Sequence, residues 1–465
     1  MSDENMTEVN QALNVDERLR ILREEDLQRW LERVSAMCQS MKISSTTENL
    51  LALRPSQTPV TCERLLEEAC AIGDQLCRRA IKSDGMAVWI SPALVKKTGE
   101  WAPRPIGIDW YDGIAGIAFF LGYLGQVTRE QKYTTLTRLA LQSVRFKIGQ
   151  YTERQKGIGA IAFVALRSAI HLFTHLGALW NDAALFREAE MLVEQLPALI
   201  SQDQLLDIIS GTAGAIVSLL GLHTLVPSAR IIEVAQLGGE HLLAQSREMQ
   251  QGWGWYTMPG SPPLTGFSHG AAGIAYSLLW LASVSKDVRF HAMALAGLAY
   301  ERGLFSPEQK NWPDLRQIGQ SKRQTTSPPR FHHLWCHGAP GIGLARLASL
   351  PYLSDGLIYE EIEAALKTTR AQGFGHNHSL CHGDFGNLET LLIASQAVYP
   401  DYKKPVEQIT AMLLDSIKAT SWVCGAPLGI ETPGLMRGLA GIGYQLLRLA
   451  EPERVPSVLL FAPPA

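Results

Sequence analysis

WCHGAPGIGLARL, Trp335 to Leu347, contains one of seven copies of a single pattern, Gly-x-x-Gly followed by small and apolar residues. The other copies read DGIAGIAFF from Asp112, KGIGAIAFV from Lys156, SGTAGAIVS from Ser210, HGAAGIAYS from His269, HGDFGNLET from His382 and RGLAGIGYQ from Arg437. In the second copy Ala160 stands where the second glycine would be. Each copy opens an apolar run of about ten to fourteen residues, rich in Ala, Leu and Ile and without β-branched alternation, which favours helix over strand. The segments between copies, Thr134 to Ile148 and Glu360 to Arg370 among them, mix charge with apolar residues at three- and four-residue spacing, the pattern of a helix with one solvated face. Each unit is therefore one polar outer helix and one apolar inner helix. An open stack of such units needs polar capping repeats, yet the last copy, GLMRGLAGIGYQLLRLAEPERV, is as apolar as the middle ones. The expected fold is all-α: a seven-hairpin α/α barrel, or toroid, with inner and outer helix rings. The inner helices all start at one rim, around a central cavity.

The repeat bounds the domain organisation. At roughly 150 residues per domain, the 465 residues would allow three domains. The pattern instead implies one closed ring over residues 61–465, preceded by an N-terminal extension over residues 1–60. Leu27, Trp30, Leu31, Val34 and Cys38 in that extension fall at helical spacing, and 43–61 is a polar, proline-containing linker. Cys62 to Ile81 reads as a further helix with Leu66, Ala69, Cys70, Gly73, Leu76, Cys77 and Ala80 inward, so Cys70 and Cys77 are expected to pack as small hydrophobes. Lys and Arg number 42 against 45 Asp and Glu, so there is no overall basic field for a phosphate backbone and nucleic acid is a poor partner. Seven dispersed cysteines do not make a disulfide framework, and the first twenty residues have no apolar h-region of a secretory signal. A reducing, cytoplasmic setting follows. Ile208 to Ala229 and Gly266 to Ser285 lack charge and approach the roughly 20 residues needed to span a bilayer. Both are interrupted by polar or turn residues and both belong to the repeat, so no transmembrane segment is expected.

In the repeat register, the position two before the first glycine holds Tyr111, Gln155, Ile209, Ser268, Cys336, Cys381 and Met436; the next holds Asp112, Lys156, Ser210, His269, His337, His382 and Arg437. Cys336-His337-Gly338 and Cys381-His382-Gly383 are thus one tripeptide in two copies, 45 residues apart. That spacing is too wide for a zinc finger, but a ring places equivalent positions of adjacent repeats side by side. Two thiolates plus His337 or His382 suit Zn²⁺, and three protein ligands with one open position is the catalytic arrangement. The plainer readings are small rim residues or structural zinc ligands. Two thiolates already neutralise the dication, while a coordinated substrate thiol still loses its proton, so thiol alkylation fits better than hydrolysis. His269 sits at the rim in the copy before Cys336 and suits general acid–base work. Asp207, inside the apolar run LLDIISG, needs a partner or a function; a helix cap is the plainer account.

WCHGAPGIGLARL, SLCHGDFGNLETLL (Ser379 to Leu392), GFSHGAAGIAYSLLWLA (Gly266 to Ala282), IDWYDGIAGIAFFLGYLG (Ile108 to Gly125) and the segment Pro433 to Leu460 resemble the LanC-like lanthionine cyclases. They look most like the C-terminal cyclase region of class II, LanM-type lanthipeptide synthetases. The resemblance runs over roughly residues 60–465, and residues 16–40 look like the tail that precedes that region. It implies an α/α toroid, a zinc ion, and Michael addition of a peptide cysteine thiolate to dehydroalanine or dehydrobutyrine in the same precursor peptide. Position by position, it implies Cys336, Cys381 and His382 as zinc ligands, His269 as the active-site histidine and Asp207 as its acidic partner, with His337 beside the metal ligands. Two departures stand out. The dehydratase region of LanM-type enzymes is not in this sequence, so a standalone cyclase, one half of a split synthetase or a degenerate remnant is expected, with a separate dehydratase or a missing dehydratase domain as its partner. Some cyclases carry an arginine four residues before the first zinc cysteine; that position is His332 here, with Arg330 nearby, which puts an arginine role in enolate stabilisation in doubt. The irregular stretch Ser306 to Arg330, with Lys310, Arg316, Lys322 and Arg323, would cover the rim beside Cys336 if it holds peptide. Addition of glutathione to dehydroamino acids in proteins, or a non-catalytic zinc-stabilised peptide-binding module, are the alternative functions.

Overall fold

The computed structural model describes residues 51–95, 100–153, 159–316, 329–353 and 355–464. The N-terminal helix expected around Trp30, the rim residues Gln155 and Lys156, and loop residues 317–328 lie outside the described residues. In chain order the helices are α1 (Cys62–Arg79), α2 (Ile114–Thr128), α3 (Gln131–Glu153), α4 (Gly159–Trp180), α5 (Ala183–Val193), the short α6 (Leu196–Ile200), α7 (Thr212–Leu225), α8 (Ala229–Gln245), α9 (Ala271–Ser285), α10 (Val288–Gly303), α11 (Ala339–Ser349), α12 (Gly356–Gln372), α13 (Asp384–Ala397), α14 (Lys403–Thr420) and α15 (Leu439–Ala450).

Helices α2, α4, α7, α9, α11, α13 and α15 form the inner ring. Each touches the next, and α15 touches α2, which closes the circle. Apolar on all sides, they are buried on all sides: every residue from Ala271 to Ala282 in α9 is buried, as is every residue from Thr212 to Leu222 in α7. The outer helices α3, α5, α8, α10, α12 and α14 each pack on the inner helix before them in the chain. The seventh outer helix is α1, which packs on α15. One hairpin of the ring is thus assembled from the two ends of the described chain. Its buried face is Leu65, Ala69, Ile72, Gly73 and Leu76, slightly rotated from the expected one, so Leu66, Cys70 and Cys77 flank the core as partly buried packing residues.

Inner and outer helices start differently. Four of the outer helices use side-chain caps: Asp182, Asp287 and Asp355 accept N–H groups of α5, α10 and α12, and Thr61 does so for α1. Inner helices α2, α7, α9, α11, α13 and α15 start after a glycine without a side-chain cap. The second glycine of the pattern has a steric cause. A Cβ on Gly341 would meet the carbonyl oxygen of Trp335, six residues earlier, and Gly273 stands in the same relation to Phe267. In the six inner helices that carry this glycine (Gly116, Gly214, Gly273, Gly341, Gly386 and Gly441), the entering loop lies directly on the first turn.

Three two-stranded antiparallel sheets interrupt the helical pattern: β1 (Ile81–Ser83) with β2 (Met86–Val88), β3 (Ile90–Val95) with β4 (Glu100–Pro105), and β5 (Arg247–Glu248) with β6 (Trp253–Gly254). They lie in connections between repeats, where no helical periodicity operates. The C-terminal segment enters the ring: Tyr444 and Tyr276, on α15 and α9, donate to the carbonyls of Pro456 (2.7 Å) and Leu460 (3.4 Å), and the Phe461 ring packs on His171 of α4 at 5.6 Å between centroids. One described helix, Gly159–Trp180, is long and apolar enough to cross a membrane, and 72% of its apolar window is buried inside the fold. The charge-free runs noted above contain the shorter helices α7 and α9.

Candidate active site

Successive repeats are tied together at the register position of the cysteines. Ser268 N–H and Oγ donate to the Cys336 carbonyl (3.4 and 3.2 Å), Cys336 N–H to the Cys381 carbonyl (3.3 Å), Cys381 N–H to the Met436 carbonyl (2.8 Å) and Met436 N–H to the Tyr111 carbonyl (2.7 Å). Residues distant in sequence thereby become neighbours along one rim. Gly338, at φ +104°, has a backbone conformation that favours glycine; a Cβ there would also strike the His332 carbonyl.

Cys336, Cys381 and His382 converge, with one donor atom from each within 4.8 Å of the others. His382 Nε2 lies 2.7 Å from the Gly425 carbonyl oxygen. An N–H at Nε2 donates there, which leaves the Nδ1 lone pair for a metal. Ligating histidines are generally oriented by such a bond. A hydrogen bond from Cys381 holds the Cys336 thiol below its ordinary value, against burial. Burial first, and then Cys336, push Cys381 well above it. Two close buried sulfurs and an oriented imidazole are a donor set that fits a borderline-soft divalent cation such as Zn²⁺. All six cysteines among the described residues are free thiols.

Beside this cluster, His269 Nδ1 lies 2.6 Å from Asp207 Oδ2, and Asp207 is 1% exposed. The other oxygen, Oδ1, accepts the Ser210 N–H at 2.6 Å; Ser210 precedes α7, whose N-cap is Gly211, so Asp207 ties the entering loop and pairs with the histidine but does not cap the helix. Burial disfavours the imidazolium, but the charge and hydrogen bond of Asp207 outweigh it, and the His269 pKa is raised. Behind the pair, the buried Arg167 of α4 donates to the carbonyls of Ile208 and Ile209, the residues following Asp207. On the other side, Glu301 Oε1 accepts from Gly266 and Ala272 (2.9 and 3.1 Å) and so fixes the loop that carries His269.

His337 does not join the cluster. Its ring is buried and lies 6.0 Å from that of His269. Burial, helped by Arg316, lowers its pKa to about 3, so it is neutral. His332 Nε2 lies 3.4 Å from Asp314 Oδ2. A guanidinium is nonetheless present: Arg316 makes a bidentate pair with Asp314 and its charge acts on Cys336 and Cys381. The described flanks of the 306–330 stretch are pinned at the rim, where Asn311 Oδ1 accepts the Ala339 N–H and Nδ2 donates to the His332 carbonyl (2.8 and 2.9 Å). Sequence reasoning placed Arg316 in a candidate loop but gave it no role, and it missed Gly425, which acts through its carbonyl, as well as Arg167 and Glu301.

A family model described as "Lanthionine synthetase C-like protein" matches residues 104–460. The chain belongs to the lanthionine synthetase C-like family. Among curated proteins it is similar to the lacticin 481/lactococcin biosynthesis protein LcnDR2 of Lactococcus lactis subsp. lactis, 22% identical over 214 residues. That match covers 42% of this chain and 22% of the relative's length. Among solved structures the fold is similar to nisin cyclase, with a TM-score of 0.61, 16% identity, and coverage of 86% of this chain and 97% of that one. For this member of the family, both the α/α toroid expected from the repeat and the LanC-like membership expected from the resemblance stand.

Proposed function

We propose that this lanthionine synthetase C-like protein is a zinc-dependent cyclase that forms thioether rings in a dehydrated precursor peptide, with residues 61–465 as the cyclase unit. The observation that carries this reading is the meeting, on one rim, of the Cys336–Cys381–His382 donor set with the His269–Asp207 pair. Cys336 Sγ, Cys381 Sγ and His382 Nδ1 would hold the metal. Bound zinc would act as a Lewis acid that lowers the pKa of a coordinated substrate thiol, so that its proton passes to solvent. The chain's own residues do the rest. Asp207 holds the Nδ1–H of His269 and leaves Nε2 to transfer a proton. As the cysteine sulfur bonds to the β-carbon of the dehydroamino acid, the π electrons pass to the α-carbon and its carbonyl. His269 Nε2–H then protonates the α-carbon and leaves the thioether. Arg316 adds positive charge beside the thiolates while the enolate is anionic. His337, buried and neutral, offers no competing charge next to His269. The reaction consumes dehydroamino acids, so a dehydratase must act on the peptide first. Thiol ligands also require a reducing setting, which is where we place the protein.

Replacement of Cys381 by alanine is expected to abolish bound zinc, measured by elemental analysis, and ring formation on a dehydrated peptide, measured by loss of iodoacetamide-reactive thiol in mass spectra. A zinc-loaded, ring-forming Cys381→Ala variant would overturn the ligand assignment. The carboxylate–histidine pair is expected to be dispensable for zinc but not for turnover.

A further inference from the structure

Next to the metal-ligand rim lies a cavity of about 220 Å³ that the chemistry above leaves unused. Pro92 and Trp101 of the β3–β4 hairpin, with Ile106 after it, form one wall; Pro427 and Ile430 of the loop before α15 form the other. At its base Arg437 meets Asp112 through Nη2 and Nε at 2.5 and 2.6 Å from Oδ2. These are the rim positions of the seventh and first repeats, the counterparts of His382 and His269. The base is therefore charge-balanced, and the Arg437 side chain, 42% exposed, keeps donor capacity. Arg104 stands exposed at the opening, while Asp109 Oδ1 is engaged by the Asp112 N–H at 2.9 Å.

Two links join the cavity to the metal ligands. Ala426 on its wall follows Gly425, whose carbonyl orients His382 and whose N–H donates to the Arg437 carbonyl at 2.7 Å. Arg437 itself lies within the electrostatic reach of Cys381. A peptide with its cysteine sulfur at the metal site must pass its neighbouring residues over this rim. The volume suits one large side chain. The walls are proline, tryptophan and isoleucine, and the one strong charge pair is satisfied internally.

We infer that this cavity is a specificity subsite that takes a large apolar side chain flanking the reacting cysteine of the substrate peptide, while Arg437 donates to a backbone carbonyl of the same segment. This inference rests on the cyclase reading, but binding alone can test it. Two labelled synthetic peptides would be compared, each with a dehydroalanine three residues from a cysteine, the cysteine being flanked by Phe on both sides in one and by Gly in the other. Their dissociation constants for the zinc-loaded full chain would be measured by fluorescence anisotropy, and ring formation would be followed separately by mass spectrometry. The wild type is expected to bind the Phe peptide about tenfold more tightly, the order of gain for burying one large apolar side chain. Trp101→Ala removes a wall and Ala93→Phe fills the space; each should bring the two affinities together while zinc content and thermal stability stay unchanged. Equal affinities in the wild type, no binding of either peptide, or a preference that survives in both variants would overturn the subsite. Binding with the expected preference but no ring from either peptide would keep the subsite and overturn the cyclase reading.

Discussion

At the residue scale, His269 is set by two opposed forces. Burial favours the neutral ring, and the Asp207 carboxylate at 2.6 Å more than offsets it, so the imidazolium persists above the ordinary value of 6.5. Because the folded value is the higher one, the pair's contribution to stability is fully present below the unfolded value and is lost as pH rises through the folded one. Asp207→Asn should lower the His269 titration, followed by NMR of the ring, and move the alkaline limb of the ring-forming rate to lower pH. With general acid–base catalysis impaired, the maximal rate should fall about 10²- to 10⁴-fold with zinc retained. Arg167→Met removes the donors to the carbonyls next to Asp207. A fall of about tenfold in kcat, with KM and zinc content unchanged, is the expected result. Cys336, Cys381 and His269 were legible in the sequence from the repeat register, which left His337 and His382 equivalent; the choice of His382 came from the family resemblance. Asp207 was legible as a carboxylate stranded in an apolar run. Arg316 was visible only as one of several charges in the 306–330 stretch, because that segment lies outside the repeat and the target of each charge is set by the fold. Gly425 carried no signal, because a backbone carbonyl is the same at every residue.

At the element scale, the second glycine of the repeats that carry the chemistry and the buried ion pairs hold the loops in place. Gly341→Ala drives a methyl into the Trp335 carbonyl, one residue from Cys336. It is expected to cost about 1–3 kcal/mol by overpacking and to weaken zinc binding in the folded fraction, checked by denaturant titration and metal competition. Arg346 and Glu301, both fully buried, pair at 3.0 Å, and Glu301 in turn anchors the His269 loop. Arg346→Ala leaves that carboxylate buried without its main partner and should destabilise the protein by about 3–5 kcal/mol, read in the same titration. The inner helices were visible beforehand because an all-apolar run after Gly-x-x-Gly has few alternatives. The strands were not. β3 and β4 contain prolines and lie in a connection between repeats, so their pairing depends on register with each other and not on a local period.

At the scale of the whole molecule, the expectation of a closed ring came from the apolar last repeat, and the contact of α15 with α2 fulfils it. What could not be read was that Cys62–Arg79 supplies the outer helix of the seventh hairpin. Its sequence marks an amphipathic helix but not the partner, since pairing across nearly the full chain leaves no local trace. Deletion of residues 62–79 should therefore uncover the apolar flank of α15 and broaden the thermal transition, an outcome to be checked by calorimetry and dye binding. The same closure has a bearing on how the protein is made. On the ribosome, α1 and α2 emerge early, but their neighbour α15 emerges late, and the rim bond from Met436 to Tyr111 cannot form before then. Six hairpins must wait as an unlatched arc with apolar ends exposed, the kind of surface that chaperones shield. The last repeat acts as the clasp. Nascent chains arrested before it would present Cys336 and Cys381 but not the finished wall around them, so the protein completes this rim in one late step.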